Sequence, residues 1–253
     1  MRFASLGSGS QGNALVVEAG GTRILVDCGF SIEEAERRLA RLGLAPGDLT
    51  GIVVTHEHGD HADGCLPFAT RHALRVWMTY GTARAVAGEA ATGVTLFEAD
   101  CPFTVGELEV RPFPVPHDAR EPVQLVVSDG ARDLGVLTDV GAPTRHIAAS
   151  LSGCAGLVLE CNYDPELLAA GPYPPWLKAR IAGPLGHLAN DAAAELLAAI
   201  DRSRLRHLIA AHLSQTNNSP ELATGALARV LGCAPGEITA ADQTNGFGWR
   251  GLA

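Results

Sequence analysis

Short apolar runs separated by turn residues dominate two parts of the chain, the first 30 residues and the stretch from about residue 90 to 140. Gly, Pro and Asp residues bound these runs, as is typical of strands in a sheet. Five of the runs are predicted to be strands: Asn13 to Ala19, Arg23 to Val26, Leu108 to Phe113, Val123 to Val127 and Asp133 to Leu137.

Helical patterns interrupt the strands at three places. Ser31 to Leu42 carries a capping box at its start, and Asn190 to Ile200 begins with its asparagine as the cap. A third helix opens at Ser219-Pro220-Glu221, and Gly232 closes it. With no low-complexity linker between these elements, we predict one α/β domain over residues 1–253.

A glycine-rich segment near the start, Gly7-Ser8-Gly9-Ser10-Gln11-Gly12, matches the G-x-G-x-x-G fingerprint of dinucleotide-binding proteins. That fingerprint requires a helix next, so that the helix N-terminus can face the pyrophosphate. Here Asn13 to Glu18 follows, and its pattern is that of a strand. We therefore expect the glycines to form a tight hairpin and not a nucleotide site.

Composition places the chain among proteins with a sizeable core, since 47% of its residues are hydrophobic. No apolar run reaches the roughly 18 residues that a membrane helix needs, and Met1 to Gly7 lacks signal-peptide architecture. The six cysteines are scattered without a C-x-x-C pair. We predict a cytoplasmic protein with buried, reduced thiols and no membrane partner.

The net charge of −9 repels polyanions, so nucleic-acid binding would depend on local arginines and on bound metal ions. Lys178 is the only lysine in the chain. Arginine favours bidentate contacts with phosphate and carboxylate, although its abundance also fits the Ala- and Gly-rich composition.

The segment richest in chemical groups is Thr55-His56-Glu57-His58-Gly59-Asp60-His61, which follows the apolar run Gly51 to Val54. Three histidines and an aspartate in six residues are hard to explain by core packing. On a loop that leaves a strand, His56 and His58 point to one side, and Asp60 and His61 turn towards a second centre. This suits two metal ions with mixed nitrogen and oxygen ligands.

Three further candidates stand where apolar runs end: His117, Asp139 and His212. Catalytic and ligand-binding residues of α/β enzymes usually lie at the carboxyl ends of strands. Each of these residues alone would more often be structural, and their joint placement after the histidine-rich run makes them candidate ligands.

As a set, these residues resemble the signature of the metallo-β-lactamase superfamily, and Asp27 matches the early aspartate that supports its histidine loop. The resemblance implies a four-layer αββα sandwich with two similar halves. It also implies two metal sites bridged by Asp139, with these ligands: His56, His58 and His117 for one ion, and Asp60, His61 and His212 for the other.

A second set of motifs points to one branch of that superfamily. Gly186-His187-Leu188-Ala189-Asn190 resembles the Gly-His-Leu-Ser-Asn element of nuclease and phosphodiesterase branches, although Ala189 replaces the usual serine. Three other segments resemble the YycJ-like (WalJ) branch: Ser8 to Asn13, Glu160 to Asp164 and His212 to Asn218. Members of that branch are associated with 5′-to-3′ exonuclease activity on DNA.

The resemblance implies hydrolysis by a hydroxide shared between two divalent ions, Zn, Mn or Fe. Asp60 would orient the hydroxide, and His187 would serve as general acid unless it merely caps the following helix. Four residues are weaker candidates for orienting ligands or contacting substrate: Glu160, Asn162, Asn217 and Asn218.

Only 47 residues separate Asp139 from His187, which leaves no room for the inserted domain of the β-CASP nucleases. Pro172 to Trp176 is the conspicuous insertion. Its aromatic side chains could stack on a base, but a rigid surface turn that packs Trp176 is the favoured interpretation.

Three functions remain open at this point. The favoured one is a nuclease or phosphodiesterase acting on nucleic acid or another phosphodiester. A thioester or lactam hydrolase of the glyoxalase II type and a non-catalytic metal-binding protein are the alternatives, and a homodimer is compatible with all three.

Overall fold

The computed structural model describes residues 1–87 and 93–252, and within these residues two seven-stranded sheets lie face to face. The first sheet has the strand order β14-β1-β2-β3-β4-β5-β6. Its strands are β1 (Arg2–Gly7), β2 (Ala14–Ala19), β3 (Thr22–Val26), β4 (Gly51–Val53), β5 (Arg75–Met78), β6 (Val94–Leu96) and β14 (Phe247–Gly251).

The second sheet has the order β13-β12-β11-β10-β9-β8-β7. Its strands are β7 (Phe103–Val105), β8 (Leu108–Pro114), β9 (Val123–Ser128), β10 (Asp133–Leu137), β11 (Gly156–Glu160), β12 (His207–Ala211) and β13 (Thr239–Ala240). Each sheet has antiparallel strands that lead into parallel ones: β1-β2-β3 precede β4 to β6, and β8-β9-β10 precede β11 to β13. The two similar halves implied by the resemblance are therefore confirmed.

Helices cover the outer face of each sheet. On the first sheet the covering helices are α1 (Ile32–Arg41), α3 (Cys65–His72) and α4 (Tyr80–Val86), and on the second they are α5 (Arg145–Leu151), α8 (Asn190–Ala199) and α9 (Pro220–Leu231). The remaining elements among the described residues are the short helices α2 (Gly59–Ala62), α6 (Pro165–Ala170) and α7 (Pro175–Ile181), and 3-10 turns at Pro46–Asp48 and Pro235–Glu237.

Alternate residues of a strand pack into different layers, and this fixes the four-layer order. Val17 and Ile24 lie in the core between the sheets, whereas the adjacent Val16 and Leu25 pack against the outer helices. A strand that is buried on both faces carries apolar residues at successive positions, which explains why these segments do not alternate between apolar and polar residues. The αββα sandwich predicted from the sequence is confirmed.

The predicted strands are confirmed to within one residue at either end. Asn13 lies outside β2 because its backbone N–H donates to Asp60 O at 2.7 Å. The asparagine cap predicted for α8 is wrong. Asn190 is the first helical residue, and its side-chain amide pairs reciprocally with that of Asn218 at 2.9 Å.

Half of the predicted capping box on α1 is present. Ser31 Oγ accepts a hydrogen bond from Glu34 N at 3.3 Å, as expected. The Glu34 carboxylate, however, pairs with Arg37 and Arg38 instead of returning to the Ser31 backbone. The other helix predicted from capping residues, α9, begins after Ser219 and ends at Gly232 as expected.

The glycine-rich segment forms the turn between antiparallel β1 and β2, and no helix follows it, so the hairpin prediction is confirmed. All six cysteines are free. Four of them are buried, but Cys101 is exposed and Cys233 is partly exposed, so the prediction of uniformly buried thiols was wrong for these two.

Among residues 1–87 and 93–252, no helix is long and apolar enough to cross a bilayer. The single domain over residues 1–253, the cytoplasmic location and the homodimer stay predictions. Residues 88–92 and Ala253, which the domain prediction includes, lie outside the described residues.

Candidate metal centre

The candidate site lies at one edge of the sandwich, where strands of both sheets end. Asp27 follows β3, and the segment beginning at His56 lies just beyond β4. Asp139 lies just beyond β10, and His212 directly follows β12. Because parallel strands end at the same edge of a sheet, segments distant in sequence deliver their side chains to one place.

Three of these residues adopt a backbone conformation that is unusual for any residue but glycine. Asp27, Asp139 and His212 have φ angles of 60°, 53° and 54°. Such left-handed residues cost about 1–3 kcal/mol each and cluster at functional sites. The strain therefore marks the ends of β3, β10 and β12 as positions where side-chain direction matters more than backbone stability.

A first group of candidate ligands consists of three imidazoles. His58 Nδ1 lies 3.1 Å from both His56 Nε2 and His117 Nε2. The opposite nitrogen of His117 lies 3.0 Å from Gly186 O, which can only accept. His117 Nδ1 therefore carries the proton, and its Nε2 directs a lone pair towards the other two rings.

A second group joins two imidazoles and two carboxylates, with ligand atoms all within 4.8 Å of one another: Asp60, His61, Asp139 and His212. His61 Nε2 lies 2.8 Å from Asp139 Oδ2, and His212 Nε2 lies 3.3 Å from Asp60 Oδ2. Asp139 Oδ2 is nevertheless buried and has no hydrogen-bond partner among the described residues.

Residues behind the ligands hold the imidazoles in place. Asp27 Oδ2 lies 2.8 Å from His61 Nδ1, and the same carboxylate accepts hydrogen bonds from Thr55 N and Thr55 Oγ1. Glu160 Oε1 lies 3.1 Å from His212 Nδ1. Carboxylates in this position fix the ring tautomer and leave Nε2 available as a ligand.

These residues fit the binding of divalent cations. Ring nitrogens and carboxylate oxygens converge at 2.8–3.3 Å, and in the second group Asp139 Oδ2 is buried without a hydrogen bond. Mixed imidazole and carboxylate ligands suit Zn, Mn or Fe. The arrangement of the donor atoms, and not their number alone, indicates metal binding.

The electrostatics agree with that conclusion. Burial opposes ionisation of Asp60 and Asp139, but the neighbouring imidazoles outweigh it and hold the pKa of both carboxyls below its usual range. For His212, burial disfavours the charged form, but Asp139, Asp60 and Glu160 raise its pKa to about 10. The site is thus a buried anionic centre that is neutralised by protons or by cations.

His187 faces the same centre from the segment between α7 and α8. Its Nδ1 lies 2.9 Å from Glu160 Oε1, while Glu160 Oε2 accepts hydrogen bonds from Val140 N and Leu188 N. Burial lowers the pKa of His187, but the Glu160 carboxylate outweighs burial and the pKa is raised. Since the side chain pairs with Glu160, the helix-capping alternative for His187 was wrong.

A pocket of about 380 Å³ opens over the two ligand groups. His187 and Asn162 line it, and Asn162 Nδ2 donates to His212 O at 2.9 Å. Residues of α7 and the turn before it form another part of its lining: Tyr173, Leu177, Arg180 and Ile181. The expected rigid turn packing Trp176 was wrong, because Trp176 is 67% exposed within α7, whereas Tyr173 reaches the pocket.

Three residues that the structure brings to the site had no role in the sequence-based prediction. Asn13 Nδ2 lies 3.1 Å from His61 Nε2 and 3.3 Å from Asp60 Oδ2. Asp118 and Arg180 form an ion pair of 2.6 Å at the pocket. The sequence could have indicated two of them, because Asn13 ends the segment Ser8 to Asn13 that resembles the YycJ-like branch and Asp118 follows the candidate ligand His117. No sequence pattern indicated Arg180 as a site residue.

Two of the weaker candidates do not line the pocket. Asn218 Nδ2 donates to Cys161 O at 2.7 Å and pairs with Asn190, so it ties β11 to α8. Asn217 N donates to Ser214 Oγ at 3.1 Å. Both asparagines therefore brace the loop after β12, and their placement gives no support to a direct substrate contact.

Comparison with known proteins agrees with the geometry. The sequence profile described as the Beta-lactamase superfamily domain matches residues 22–212. The chain is 34% identical over 235 residues to "Exodeoxyribonuclease YycJ" of Bacillus anthracis, covering 91% of this chain and 89% of that protein. It is 32% identical over 228 residues to "Exodeoxyribonuclease WalJ" of Streptococcus pneumoniae, covering 88% and 85%.

Among solved structures, the metallo-β-lactamase fold protein YhfI from Bacillus subtilis superposes with a TM-score of 0.74 at 16% identity, covering 99% of both chains. At that identity the likeness concerns the fold alone. The profile match spans most of the chain, and the two nuclease-named relatives match nearly all of it. The chain therefore belongs to the β-lactamase superfamily domain family, in the branch that includes the YycJ and WalJ proteins.

Proposed function

We propose that this protein is a metal-dependent phosphodiesterase that degrades DNA as a 5′-to-3′ exonuclease in the cytoplasm. The observation that carries the proposal is the Glu160-bound His187, which lines the same pocket as both candidate ligand groups. The exodeoxyribonuclease names of the YycJ and WalJ relatives support DNA as the substrate.

The proposed ligand set would hold two divalent ions. Asp139 faces both ligand groups and could serve both ions, because its Oδ1 lies 3.7 Å from His117 Nε2 and its Oδ2 lies 2.8 Å from His61 Nε2. The other proposed ligands are His56, His58 and His117 for one ion and Asp60, His61 and His212 for the other. Two such cations supply a nucleophile at neutral pH and neutralise charge on the phosphoryl oxygens.

The protein residues then divide the remaining work. Asp60 orients the attacking water, whose oxygen forms a new bond to phosphorus as the P–O3′ bond breaks. His187 holds a proton on Nδ1 against Glu160, which keeps the ring in one orientation while its other nitrogen donates a proton to the departing 3′ oxygen. General acid catalysis of this kind is worth about 10²- to 10⁴-fold in rate.

The test uses metal-loaded protein, a 5′-phosphorylated oligodeoxynucleotide and bis(4-nitrophenyl) phosphate. We expect the wild type to hydrolyse both and His187→Gln to lower kcat on the oligonucleotide about 10²-fold or more. The nitrophenolate leaving group needs no protonation, so the variant should lose much less on the aryl ester. His146→Gln, which removes an exposed histidine paired with Asp100, is the control.

Two results would contradict the proposal. One is the absence of any phosphodiester hydrolysis by the wild type with Zn²⁺ or Mn²⁺. The other is turnover of a thioester or a β-lactam in its place, which would favour the glyoxalase II-like alternative.

A further inference from the structure

The pocket over the candidate metal centre is too small for more than a short piece of a DNA strand. Its volume of about 380 Å³ is near the lower end of small-molecule sites and holds about one nucleotide. The rest of a bound strand has to continue over a neighbouring surface. Because the chain carries a net charge of −9, that surface needs local positive charge to hold phosphates.

One groove that adjoins the pocket lacks such charge. It has a volume of about 260 Å³, and Ser214 lines both the groove and the pocket. Gln215, Asp242 and Gln243 also line the groove, but among the described residues no arginine or lysine does so. The charged side chain that this groove offers is a carboxylate, which repels phosphate.

The loop between β8 and β9 brings an unpaired arginine close to the first ligand group. Arg120 lies three residues beyond His117, and its backbone N donates to Glu57 Oε1 at 2.7 Å. Glu57 itself stands between His56 and His58 in the chain. The Arg120 side chain is exposed and has no hydrogen-bond or ion-pair partner within the described part of the chain. Its five guanidinium N–H donors are therefore available to a ligand.

An exposed aromatic ring lies beside this loop. Tyr80 is the first residue of α4, which follows β5 at the same edge of the sandwich, and it is 61% exposed. Gly81 N donates to Glu121 Oε2 at 2.6 Å, and a Cβ atom added to Gly81 would lie 2.6 Å from Glu121 Cβ. Tyr80 and Arg120 each directly precede one of these two contacting residues, so they belong to one surface.

The acidic side chains at this surface are directed to backbone groups. Glu57 and Glu121 each accept a hydrogen bond from a backbone N–H, and Glu57 Oε2 is buried. Arg120 and Tyr80 are the exposed groups. A guanidinium binds a phosphate through paired hydrogen bonds, and an aromatic ring stacks on a nucleobase. The surface thus combines a group for the backbone of a DNA strand with a group for one of its bases.

We propose that Arg120 and Tyr80 form a strand-binding surface outside the pocket, which holds the DNA strand on the 3′ side of the scissile phosphate. The inference rests on the proposed function. Arg120 binds a phosphate, and Tyr80 stacks on a base, within the first few nucleotides beyond the cut. The strand that is degraded is unpaired where it passes Tyr80, because the faces of a base within a duplex are covered by its neighbours.

The test measures binding without turnover. Fluorescence anisotropy of the metal-loaded protein is recorded with a single-stranded dinucleotide and octanucleotide, both 3′-labelled and joined by phosphorothioate linkages that resist hydrolysis. We expect the wild type to bind the octanucleotide at least about tenfold more tightly than the dinucleotide. Arg120→Gln and Tyr80→Ala should each weaken octanucleotide binding about tenfold and affect the dinucleotide much less.

The salt dependence separates the two contacts. Arg120→Gln should reduce the slope of log Kd against log salt by about 0.7, the contribution of one phosphate contact in a single strand. Tyr80→Ala should leave the slope unchanged, since stacking neutralises no phosphate. Tyr80→Phe keeps the ring and should bind the octanucleotide as tightly as the wild type.

Arg75→Gln is the matched control. Arg75 is also exposed and also lacks a side-chain partner among the residues that the structure describes, but it begins β5 and so lies at the edge opposite to Tyr80. The variant removes the same charge as Arg120→Gln. It should keep both the octanucleotide affinity and the salt dependence of the wild type.

Kinetics on cleavable strands gives a further readout. Arg120→Gln and Tyr80→Ala should raise KM for the octanucleotide more than they lower kcat, because they remove binding that is remote from the reacting phosphate. Octanucleotide affinity that is unchanged in both variants, or that falls equally in Arg75→Gln, would overturn the inference and leave the proposed nuclease intact. A wild type that cleaves no phosphodiester would instead remove the proposed function, and the anisotropy comparison would still decide the roles of Arg120 and Tyr80.

Discussion

The ring nitrogens that face away from the candidate ligand atoms show how the site imidazoles are held. Thr55 Oγ1 lies 3.0 Å from His56 Nδ1, and this hydroxyl donates to Asp27 Oδ2, so it accepts from the ring. The same carboxylate faces His61 Nδ1. One buried aspartate thus sets the tautomer of imidazoles in both ligand groups, although it is not itself a candidate ligand.

Replacing Asp27 with asparagine should weaken metal binding about 10- to 100-fold. The amide nitrogen of the substituted side chain would present N–H donors to groups that are themselves donors, so Thr55 and His61 could not both keep their hydrogen bonds. Competition with a chromophoric chelator measures the affinity. Asp201→Asn, a change at an exposed residue between α8 and β12, is the control, and equal affinity for both variants would show that Asp27 does not support the ligands.

Metal binding should release protons at pH 7. Because the pKa of His212 is raised to about 10 in the absence of metal, the imidazole is protonated there, and a cation at Nε2 must displace that proton. The apparent affinity should rise with pH through the neutral range, by about tenfold per pH unit for each proton released. Calorimetric titrations in two buffers of different ionisation enthalpy count the protons; identical heats in both would disprove the release.

Among the individual site residues, the sequence predicted those that cluster in one run or lie at the ends of strands. It did not reveal Asn13 or Arg180 as site residues, because their contacts join loops far apart in the chain. The left-handed backbone at Asp139 and His212 was equally hidden, since neither residue type requires it.

Among the elements, the histidine-rich loop depends on how closely the turn after β3 approaches it. A Cβ atom added to Gly29 would lie 1.9 Å from Asp60 O, and Gly29 N donates to Asn13 O at 3.1 Å. The turn after β3, the end of the glycine-rich segment at Asn13 and the histidine-rich loop therefore pack directly against one another. There is no space for a methyl group at Gly29.

Gly29→Ala should displace Asp60 and lower both the metal content and the melting temperature. Overpacking of this kind typically costs about 1–3 kcal/mol, or roughly 2–12 °C for a chain of this size. Gly47→Ala is the matched control, because a Cβ there meets nothing within 4 Å. Bound metal measured by elemental analysis, together with thermal unfolding, tests the pair; equal behaviour of the two variants would contradict the packing argument.

The elements that the sequence predicted well are those with local signals. The starts of α1 and α9 follow from Ser31 and Ser219, whose side chains cap the adjacent N–H groups. The start of α8 was misplaced because Asn190 uses its side chain in a long-range pair. The short helix α2 had no signal of its own. Helix α7, which shapes the pocket, begins with Pro175, a helix-start signal that the sequence-based prediction did not use.

In the whole molecule, the proposed ligands of each ion come from both sheets. The loop after β4 of the first sheet carries His56, His58, Asp60 and His61, while the second sheet contributes residues that follow β8, β10 and β12. The sequence contains no internal repeat that would have indicated the two similar halves. Their likeness lies in strand order and direction, which the amino-acid pattern does not have to repeat.

Removing the metal should therefore loosen the connection between the sheets and lower the melting temperature. Ligation by the native state alone adds about 4 kcal/mol at a free metal concentration of roughly 1,000 times Kd. For a chain of this length that corresponds to a rise of about 8–16 °C over the chelated protein.

Differential scanning calorimetry with and without a chelator measures the shift, and the metal dependence distinguishes it from a change in the core. The variant Asp139→Asn should lose most of the shift, because it removes charge from a carboxylate that lies close to both His61 and His117. His146→Gln should keep all of it, since this residue lies on α5 and pairs with Asp100. If the melting temperature of the wild type were the same with and without the chelator, the two sheets would be joined by their apolar core alone.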